Sequence, residues 1–271
     1  MIITKESKII PYRHNVPTRE EFESLHIPKR YNNLREDITS LEGAFYHMKF
    51  PSPKSMINEL IGSYLSKKIG LDTVDYQIGL IGNYFIALSK VFYEEGYQYL
   101  SAKSYLLEKG RNSYLAASSI FGCLKTRNLK LFQGELVFDD ILKLIAIDLK
   151  MGQSDRHGEN IQIKIDRLGT ISLAPIYDYG CSYMQNNDNI HYQNYASPFI
   201  LVRRNPYYLG RLFRSYPKLW EYIQFLKSVS MEEILRDIEC EKVITFEDSE
   251  KDYYRKKQSE IEEVLDKVKM I

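Results

Sequence analysis

Residues 145–183 read IAIDLKMGQSDRHGENIQIKIDRLGTISLAPIYDYGCSY, and the fold of the whole chain turns on them. The stretch leaves a helix: across residues 139–150, Ile141, Leu142, Leu144, Ile145, Ile147 and Leu149 are apolar almost all round, the pattern of a helix buried on every side. It then passes through two short alternating runs, 161–165 and 169–173, which read as strands. Asp155 precedes the first and Asp178 follows the second, and a hairpin of that size brings both ends to one spot. Asp155-Arg-His-Gly-Glu-Asn160 and Asp178-Tyr-Gly180 are therefore expected to face a common site.

Upstream, residues 43–50, GAFYHMKF, read as a strand. Alternation puts Ala44, Tyr46, Met48 and Phe50 on one face and Phe45, His47 and Lys49 on the other, so Lys49 points with two rings rather than into free water. Pro51 and Pro53 close the strand. Residues 55–69 follow with Ile57, Leu60, Ile61, Tyr64, Leu65 and Ile69 at helical spacing, ended by Gly70. Runs at 74–81 and 84–92 flank Gly82-Asn83, a two-residue hairpin signal. Residues 1 to about 40 read as an irregular arm with one short helix, broken by Pro11, Pro17 and Pro28 and carrying a Thr18-x-x-Glu21 capping pattern. Past residue 99 helices dominate, 113–124 and 139–150 most clearly. Later, Ser230-Met-Glu-Glu233 opens one helix, and 249–270 carries Tyr253, Tyr254, Ile261, Val264, Leu265 and Val268 on one face of another.

Composition excludes several classes of partner. Lys plus Arg (37) nearly balances Asp plus Glu (36), so a net charge of +1 gives no electrostatic reason to expect direct nucleic-acid binding or an anionic membrane. The 44% hydrophobic content of 271 residues suffices for a sizeable core. Cys123, Cys181 and Cys240 are odd in number and far apart, without metal-ligand spacing, which suits reduced thiols in a cytosol. The opening MIITKESKIIPYRHNVP lacks the apolar run of a signal peptide, and no segment approaches the ~20 apolar residues of a membrane span. A cytoplasmic protein is expected.

Asp155 and Asn160 stand five positions apart, the interval of the Asp and Asn in a protein-kinase catalytic loop, and Asp178-Tyr-Gly occupies the place of the metal-binding Asp-Phe-Gly. Phosphoryl transfer asks for positioning and charge neutralisation more than covalent chemistry, so few groups suffice. Mg²⁺ takes one or two protein oxygens while phosphates and waters complete its octahedron, which suits Asn160 and Asp178 as metal ligands. Asp155, not bound up by metal, is placed to orient an acceptor hydroxyl and take its proton. His157 joins it in the catalytic loop, in a role that fixes the loop's shape. Lys49 is the candidate cation for the phosphates of ATP, with Glu59 on the following helix as its partner. Each pair alone is a spacing that solvated surface residues show by accident. Lysine strand, glutamate helix, hairpin, buried helix, Asp/Asn loop and Asp-Tyr-Gly in that order carry the weight. They imply an α+β, two-lobed, protein-kinase-like fold: a small β-rich N-lobe, residues 1–95, gripping the nucleotide, and a mainly helical C-lobe, residues 96–271, with the catalytic loop and metal site.

The residues also carry a more specific resemblance. SDRHGEN followed by LAPIYDYGCS resembles the signature of the HipA-like serine/threonine kinases, an Asp-x-His-x-x-Asn loop before a Pro-x-Tyr-Asp segment. HMKFP and INELIGSYLSKKIGL are similar to that family's lysine strand and Asn-Glu helix. The resemblance spans residues 43–183. It implies Asp155 as catalytic Asp, Asn160 and Asp178 as Mg²⁺ ligands, Lys49 as the ATP-binding lysine, and the segment 88–93, with Leu88, Lys90 and Phe92, as the connector at the adenine. It further implies a protein substrate, a toxin-type kinase held by an antitoxin-type protein partner, a short form without the family's additional N-terminal subdomain, and Ser40 as a site of autophosphorylation. The sequence departs from the kinase pattern in two places: no glycine-rich loop precedes Lys49, where only Gly43 stands, and His47 occupies the place of a small residue against the adenine.

Three other readings use the same residues. Asp-Arg-His-x-x-Asn is also similar to the loop of phosphatidylinositol kinases, though Arg203-Arg204 is the sole basic pair after Asp178 that suggests a membrane-facing surface, and a small-molecule kinase fits the same parts. A nucleotide-binding pseudokinase acting as a binding module would account for the missing glycine-rich loop. An acidic loop that is merely solvated surface on a mixed α/β protein is the blandest alternative.

Overall fold

The structure, a computed structural model, describes residues 2–3, 10–11, 38–41, 44–49, 51–81, 84–108, 137–183, 206–242 and 244–269. The expected helices around Thr18 and at 113–124, the phosphate-loop position at Gly43 and the Gly82-Asn83 turn lie outside these residues.

The first strands are β1 (Ile2–Ile3), β2 (Ile10–Pro11), β3 (Ile38–Leu41) and β4 (Ala44–Lys49). Helix α1 (Pro53–Lys68) starts where its sequence dictates: Ser52 is the N-cap, its Oγ accepting the Ser55 N–H at 3.2 Å, and Pro53 takes the first turn, where its missing N–H costs nothing. Lys67 and Lys68 in the last turn complement the helix dipole, and Gly70, at φ +71°, turns the chain away. Strands β5 (Tyr76–Ile81) and β6 (Tyr84–Lys90) then pair antiparallel with Ile81 opposite Tyr84. The resulting five-stranded sheet has the order β2-β5-β6-β4-β3, antiparallel except where β2 runs beside β5.

Strand β7 (Gln98–Ser101) and helix α2 (Ala102–Glu108) come next, then the long helix α3 (Val137–Met151). As its all-round apolar sequence requires, α3 is buried from Ile141 to Met151 save Lys143. Strands β8 (Gln162–Ile165) and β9 (Ile171–Leu173) form the expected hairpin after it. The sequence pattern turns helical after residue 99 and passes over β7, whose four residues are too few to show a period. Pairing reveals it, with Gln98 opposite Ile165 and Ser101 opposite Gln162.

Helices α4 (Pro206–Ser215), α5 (Pro217–Ser228), α6 (Met231–Lys242) and α7 (Asp248–Lys269) complete the mainly helical part. Ser230 caps α6 as its motif predicts, accepting the Glu233 N–H at 3.2 Å. A short strand β10 (Ile244–Thr245) pairs with β1 and ties the beginning of the chain to the end. The main core runs unbroken from α1 and β5 through α3 to α7, while Met48, Ile86 and Leu88 form a second, small cluster with Tyr46. Met56 to Ser66 of α1 are all buried because this helix lies between the sheet and the helices α3 and α6. It is thereby fixed to both parts of the molecule. Among the described residues no helix is long and apolar enough to cross a membrane.

Candidate active site

Register decides which side chains share the face of Lys49. In β4 and β6, Lys49 stands opposite Ala87, His47 opposite Ser89, Met48 opposite Leu88 and Tyr46 opposite Lys90. Directly opposed residues project to one face, so Lys49, His47, Ala87 and Ser89 look toward α1 and Asp178. Leu88 and Lys90 look the other way: Leu88 is sealed into the small cluster with Met48 and Ile86, and Lys90 is exposed. Leu88 and Lys90, two of the residues that the resemblance places at the connector, therefore lie on the opposite face of the sheet from Lys49. Phe92, just past β6, packs toward Lys49 through Tyr177: its ring lies 6.0 Å from that of Tyr177, whose centre lies 5.9 Å from the Lys49 ammonium. Tyr99 pins the connector there, its hydroxyl donating to the Phe92 carbonyl at 3.3 Å and accepting the Glu94 N–H at 3.2 Å.

Lys49 bridges two carboxylates drawn from distant parts of the chain. Its Nζ stands 3.3 Å from Glu59 Oε1 on α1 and 3.0 Å from Asp178 Oδ1. Glu59 is 2% exposed, Lys49 39% and Asp178 36%, so a dry anchor holds a cation at the edge of solvent. Burial opposes the charge on Lys49, but Glu59 and Asp178 outweigh it and hold its pKa above the ordinary lysine value. On the same face His47 is pushed down to about 4 by burial and by Lys49, and so is neutral at physiological pH.

Asp178 is set by contacts on every side. It sits at φ +69°, a left-handed conformation that costs a residue with a Cβ about 1–2 kcal/mol. The surroundings over-determine it: the Tyr76 hydroxyl accepts its N–H at 3.4 Å, Gln153 Nε2 donates to its carbonyl at 2.9 Å, and Lys49 holds the carboxylate. The next residue, Tyr179, donates its N–H to Glu59 Oε2 at 2.7 Å, so one glutamate holds both the lysine and the Asp-Tyr-Gly backbone. The Tyr179 side chain is locked into α1. Its hydroxyl pairs with Ser66 Oγ at 2.7 Å, and a Cβ on Gly62 would stand 2.1 Å from its ring, which admits only glycine there. Asn58, one residue before Glu59, donates to the carbonyls of Gly180 and Ser182 at 2.8 Å each and accepts from Tyr254 of α7 at 3.0 Å.

The loop from Gln153 to Asn160 is built in the same manner. Arg156, entirely buried, faces the equally buried Asp148 of α3 with Nε at 3.1 Å, donates to the Tyr177 carbonyl at 2.6 Å and lies 4.8 Å from the Tyr179 ring centre. Burial alone would weaken its charge, but Asp148 keeps the guanidinium pKa above its already high value. His157 accepts the Glu159 N–H on Nδ1 at 3.2 Å and the Asn160 N–H on its carbonyl at 3.0 Å. Asn160 donates Nδ2 to the Asp155 carbonyl at 3.1 Å, tying the two ends of the motif together. Burial raises the Asp155 carboxyl above the ordinary range; the charge of Asp178 adds to this, against His157 and Arg156.

Lys49, Glu59 and Asp178 thus meet directly, Asp155, His157 and Asn160 share the loop beside them, and Phe92 packs on Tyr177. The Asn160 amide keeps an Oδ1 and Asp178 a second carboxylate oxygen, hard donors that suit Mg²⁺ and phosphates together. Among the described residues no group of three or more His, Cys, Asp or Glu stands together as a metal cage. Sequence reasoning did not find Gln153, Arg156 and Tyr179. Their work is directed at backbone and buried rings, and only Gly62 at a helix interior hints at the close approach of Tyr179.

A strand lysine held by a helix glutamate, above an Asp/Asn loop and an Asp-Tyr-Gly segment, on this order of strands and helices, is a protein-kinase-like α+β fold with a small β-rich lobe and a mainly helical one. Solved structures share it. One is the Helicobacter pylori proinflammatory kinase CtkA, with a TM-score of 0.57 at 14% identity, covering 83% of this chain and 89% of that one. Another is HipA of the toxin–antitoxin system of Shewanella oneidensis MR-1, solved with HipB and operator DNA, with a TM-score of 0.51 at 14% identity, covering 87% of this chain and 65% of that one. The fold is therefore of the kind that the sequence resemblance to HipA-like kinases implies. No family model and no curated protein matches the sequence.

Proposed function

We propose that this chain is a serine/threonine protein kinase of the HipA-like kind, transferring the γ-phosphoryl group of Mg·ATP to a protein hydroxyl. The observation that carries the reading is the Lys49 ammonium shared between buried Glu59 and Asp178. A phosphate-binding cation, its anchor and a metal-binding carboxylate stand in one contact, next to a loop that presents Asp155 and Asn160. In this reading Lys49 steadies the phosphates and Asn160 and Asp178 hold Mg²⁺, which neutralises charge developing on the phosphoryl oxygens. Asp155 accepts the proton of the acceptor hydroxyl as its oxygen bonds to the γ-phosphorus and ADP leaves. Phe92 and the connector meet the adenine, and the division near residue 95 separates the nucleotide-gripping part from the catalytic part. An antitoxin-type protein partner and a cytoplasmic setting belong to the same proposal; HipA, a structural neighbour, was solved with HipB.

The test is transfer from labelled ATP with Mg²⁺ to the protein itself, to a protein extract and to phosphatidylinositol vesicles, beside Asp155→Ala and Asp178→Ala. Label on protein that falls by at least about 100-fold in either variant is the expected result. Label on lipid alone would make the chain a lipid kinase, and nucleotide binding without transfer would make it a pseudokinase.

A further inference from the structure

Between helix α3 and the catalytic loop lies one polar side chain that the phosphotransfer chemistry does not call for. Gln153 is 0% exposed. Its amide is spent entirely on backbone: Oε1 accepts the N–H groups of Ser154 at 2.8 Å and Asp155 at 3.1 Å, while Nε2 donates to the Asp178 carbonyl at 2.9 Å. One rigid planar group therefore joins Ser154 and Asp155, at the start of the catalytic loop, to Asp178, which lies 25 positions after Gln153. A second cross-tie lies beside it, where the Ser154 backbone and hydroxyl both donate to the Cys181 carbonyl at 3.2 and 2.8 Å.

We infer that Gln153 is a positioning residue that sets the Asp155 and Asp178 carboxylates against each other, so that Asp178 meets Mg²⁺ while Asp155 is left for the acceptor. The inference rests on the phosphotransfer reading above and deepens it. The chemistry requires such a device. Asp178 stands in a left-handed conformation that a residue with a Cβ leaves readily, and its partners on the other side, Lys49 and Tyr76, come from the sheet rather than from the loop. The other ties between the loop and this segment, Arg156 to the Tyr177 carbonyl and Ser154 to the Cys181 carbonyl, fall on either side of Asp178, and Gln153 is the loop residue that holds the Asp178 backbone itself. A side-chain amide suits the task because it donates and accepts in one plane. A carboxylate in its place keeps the acceptor for the loop amides and loses the donor to Asp178.

Gln153→Glu therefore cuts the tie to Asp178 alone, and Gln153→Ala cuts both ties. The readouts are the Mg²⁺ dependence of binding a non-hydrolysable ATP analogue and amide hydrogen exchange followed by mass spectrometry. Thermal melting confirms that each variant is folded. In the variants the half-saturating Mg²⁺ concentration should rise by about 10-fold or more, the usual effect of losing a group that orients a metal ligand, with metal-free nucleotide affinity within about 2-fold of wild type. Exchange across residues 176–183 should accelerate in both variants, and at Asp155 in Gln153→Ala only, the Ser154 amide keeping its bond to the Cys181 carbonyl. Folded variants with the Mg²⁺ curve and exchange pattern of wild type would overturn the inference. So would fast exchange of the Ser154 and Asp155 amides in wild type, a measurement that needs no variant to fold. If wild type binds no Mg·nucleotide, the phosphotransfer reading falls, and the exchange pattern alone then decides whether Gln153 ties the two segments.

Discussion

Two ion-paired clusters lie within the same site and are built to opposite standards. At its floor, Arg156 and Asp148 are both 0% exposed, and the guanidinium spends its other donors on the Tyr177 carbonyl and its face on the Tyr179 ring. At its mouth, Lys49 and Asp178 are each more than a third exposed and meet through a single contact, with only Glu59 dry. The floor cannot rearrange without stranding a buried charge. The mouth can exchange its partner for a phosphate or a metal at little cost. A site that must admit and release a highly charged ligand needs this division: fixed geometry in the loops, and adjustable charge where the ligand enters.

The largest expected effect comes from breaking the floor. Arg156→Met leaves Asp148 buried without its partner and frees the Tyr177 carbonyl, so denaturant unfolding should show a loss of about 3–5 kcal/mol. A loss under about 1 kcal/mol would mean that the pair is hydrated and that the contrast with the mouth is false. Next in size is the wedge beneath Asp-Tyr-Gly. Gly62→Ala drives a methyl group into the Tyr179 ring from within α1, an overpacking expected to cost about 1–3 kcal/mol. Since Tyr179 adjoins Asp178, the same variant should lose Mg²⁺-dependent nucleotide binding before it unfolds. Retained binding at reduced stability would uncouple the wedge from the function proposed for the Asp-Tyr-Gly segment.

At the mouth the balance reverses. Lys49→Met removes an exposed partner from Asp178 but leaves buried Glu59 with only the Tyr179 N–H, so it should cost about 1–2 kcal/mol, less than the floor, and weaken ATP binding roughly 10-fold, the worth of one charge-assisted hydrogen bond. Equal affinities for the variant and the wild type, measured by calorimetry, would remove Lys49 from the nucleotide site and with it the central contact of the proposed function.

The two clusters also differ in how far the sequence discloses them. Lys49, Glu59, Asp155, Asn160 and Asp178 are recognisable because the chemistry demands those residue types in that order, and alternation along β4 already sets Lys49 apart from Met48. Which residues of β6 share that face is a matter of register. Opposing Lys49 to Ala87 rather than to a neighbour turns Leu88 and Lys90 outward, and no single strand carries that information. The floor is harder still. Arg156 resembles any loop arginine until Asp148 is seen one turn from the end of α3, and Gln153 and Asn58 act on carbonyl groups, which have no signature in a sequence. The helix α1 was legible from its apolar spacing, but its burial on both sides, which lets it hold Asp-Tyr-Gly, follows from the arrangement of α3, α6 and the sheet around it.

The smallest effect tests the comparison at its finest point, the two carboxylates themselves. Burial pushes both toward protonation, but at Asp178 the charge and hydrogen bond of Lys49 outweigh it and lower the pKa, whereas at Asp155 burial, helped by the charge of Asp178, leaves the pKa raised. The signs follow by linkage. A lowered carboxyl contributes stability above its unfolded pKa and loses it as pH falls through the folded one; a raised carboxyl costs stability while ionised, and that cost is relieved as pH falls through its raised pKa. At about pH 7, Asp178→Asn should therefore destabilise and Asp155→Asn should stabilise, each by less than about 1 kcal/mol because both groups stay partly hydrated. The gap between the two variants should close in two stages as pH falls, first through the raised pKa of Asp155 above the ordinary carboxylate value of about 3.9, then through the lowered pKa of Asp178 below it. Unfolding curves that move in the same direction for both variants would show that the two carboxylates share one environment, and the separation of a metal-binding Asp178 from a proton-accepting Asp155 would lose its physical basis.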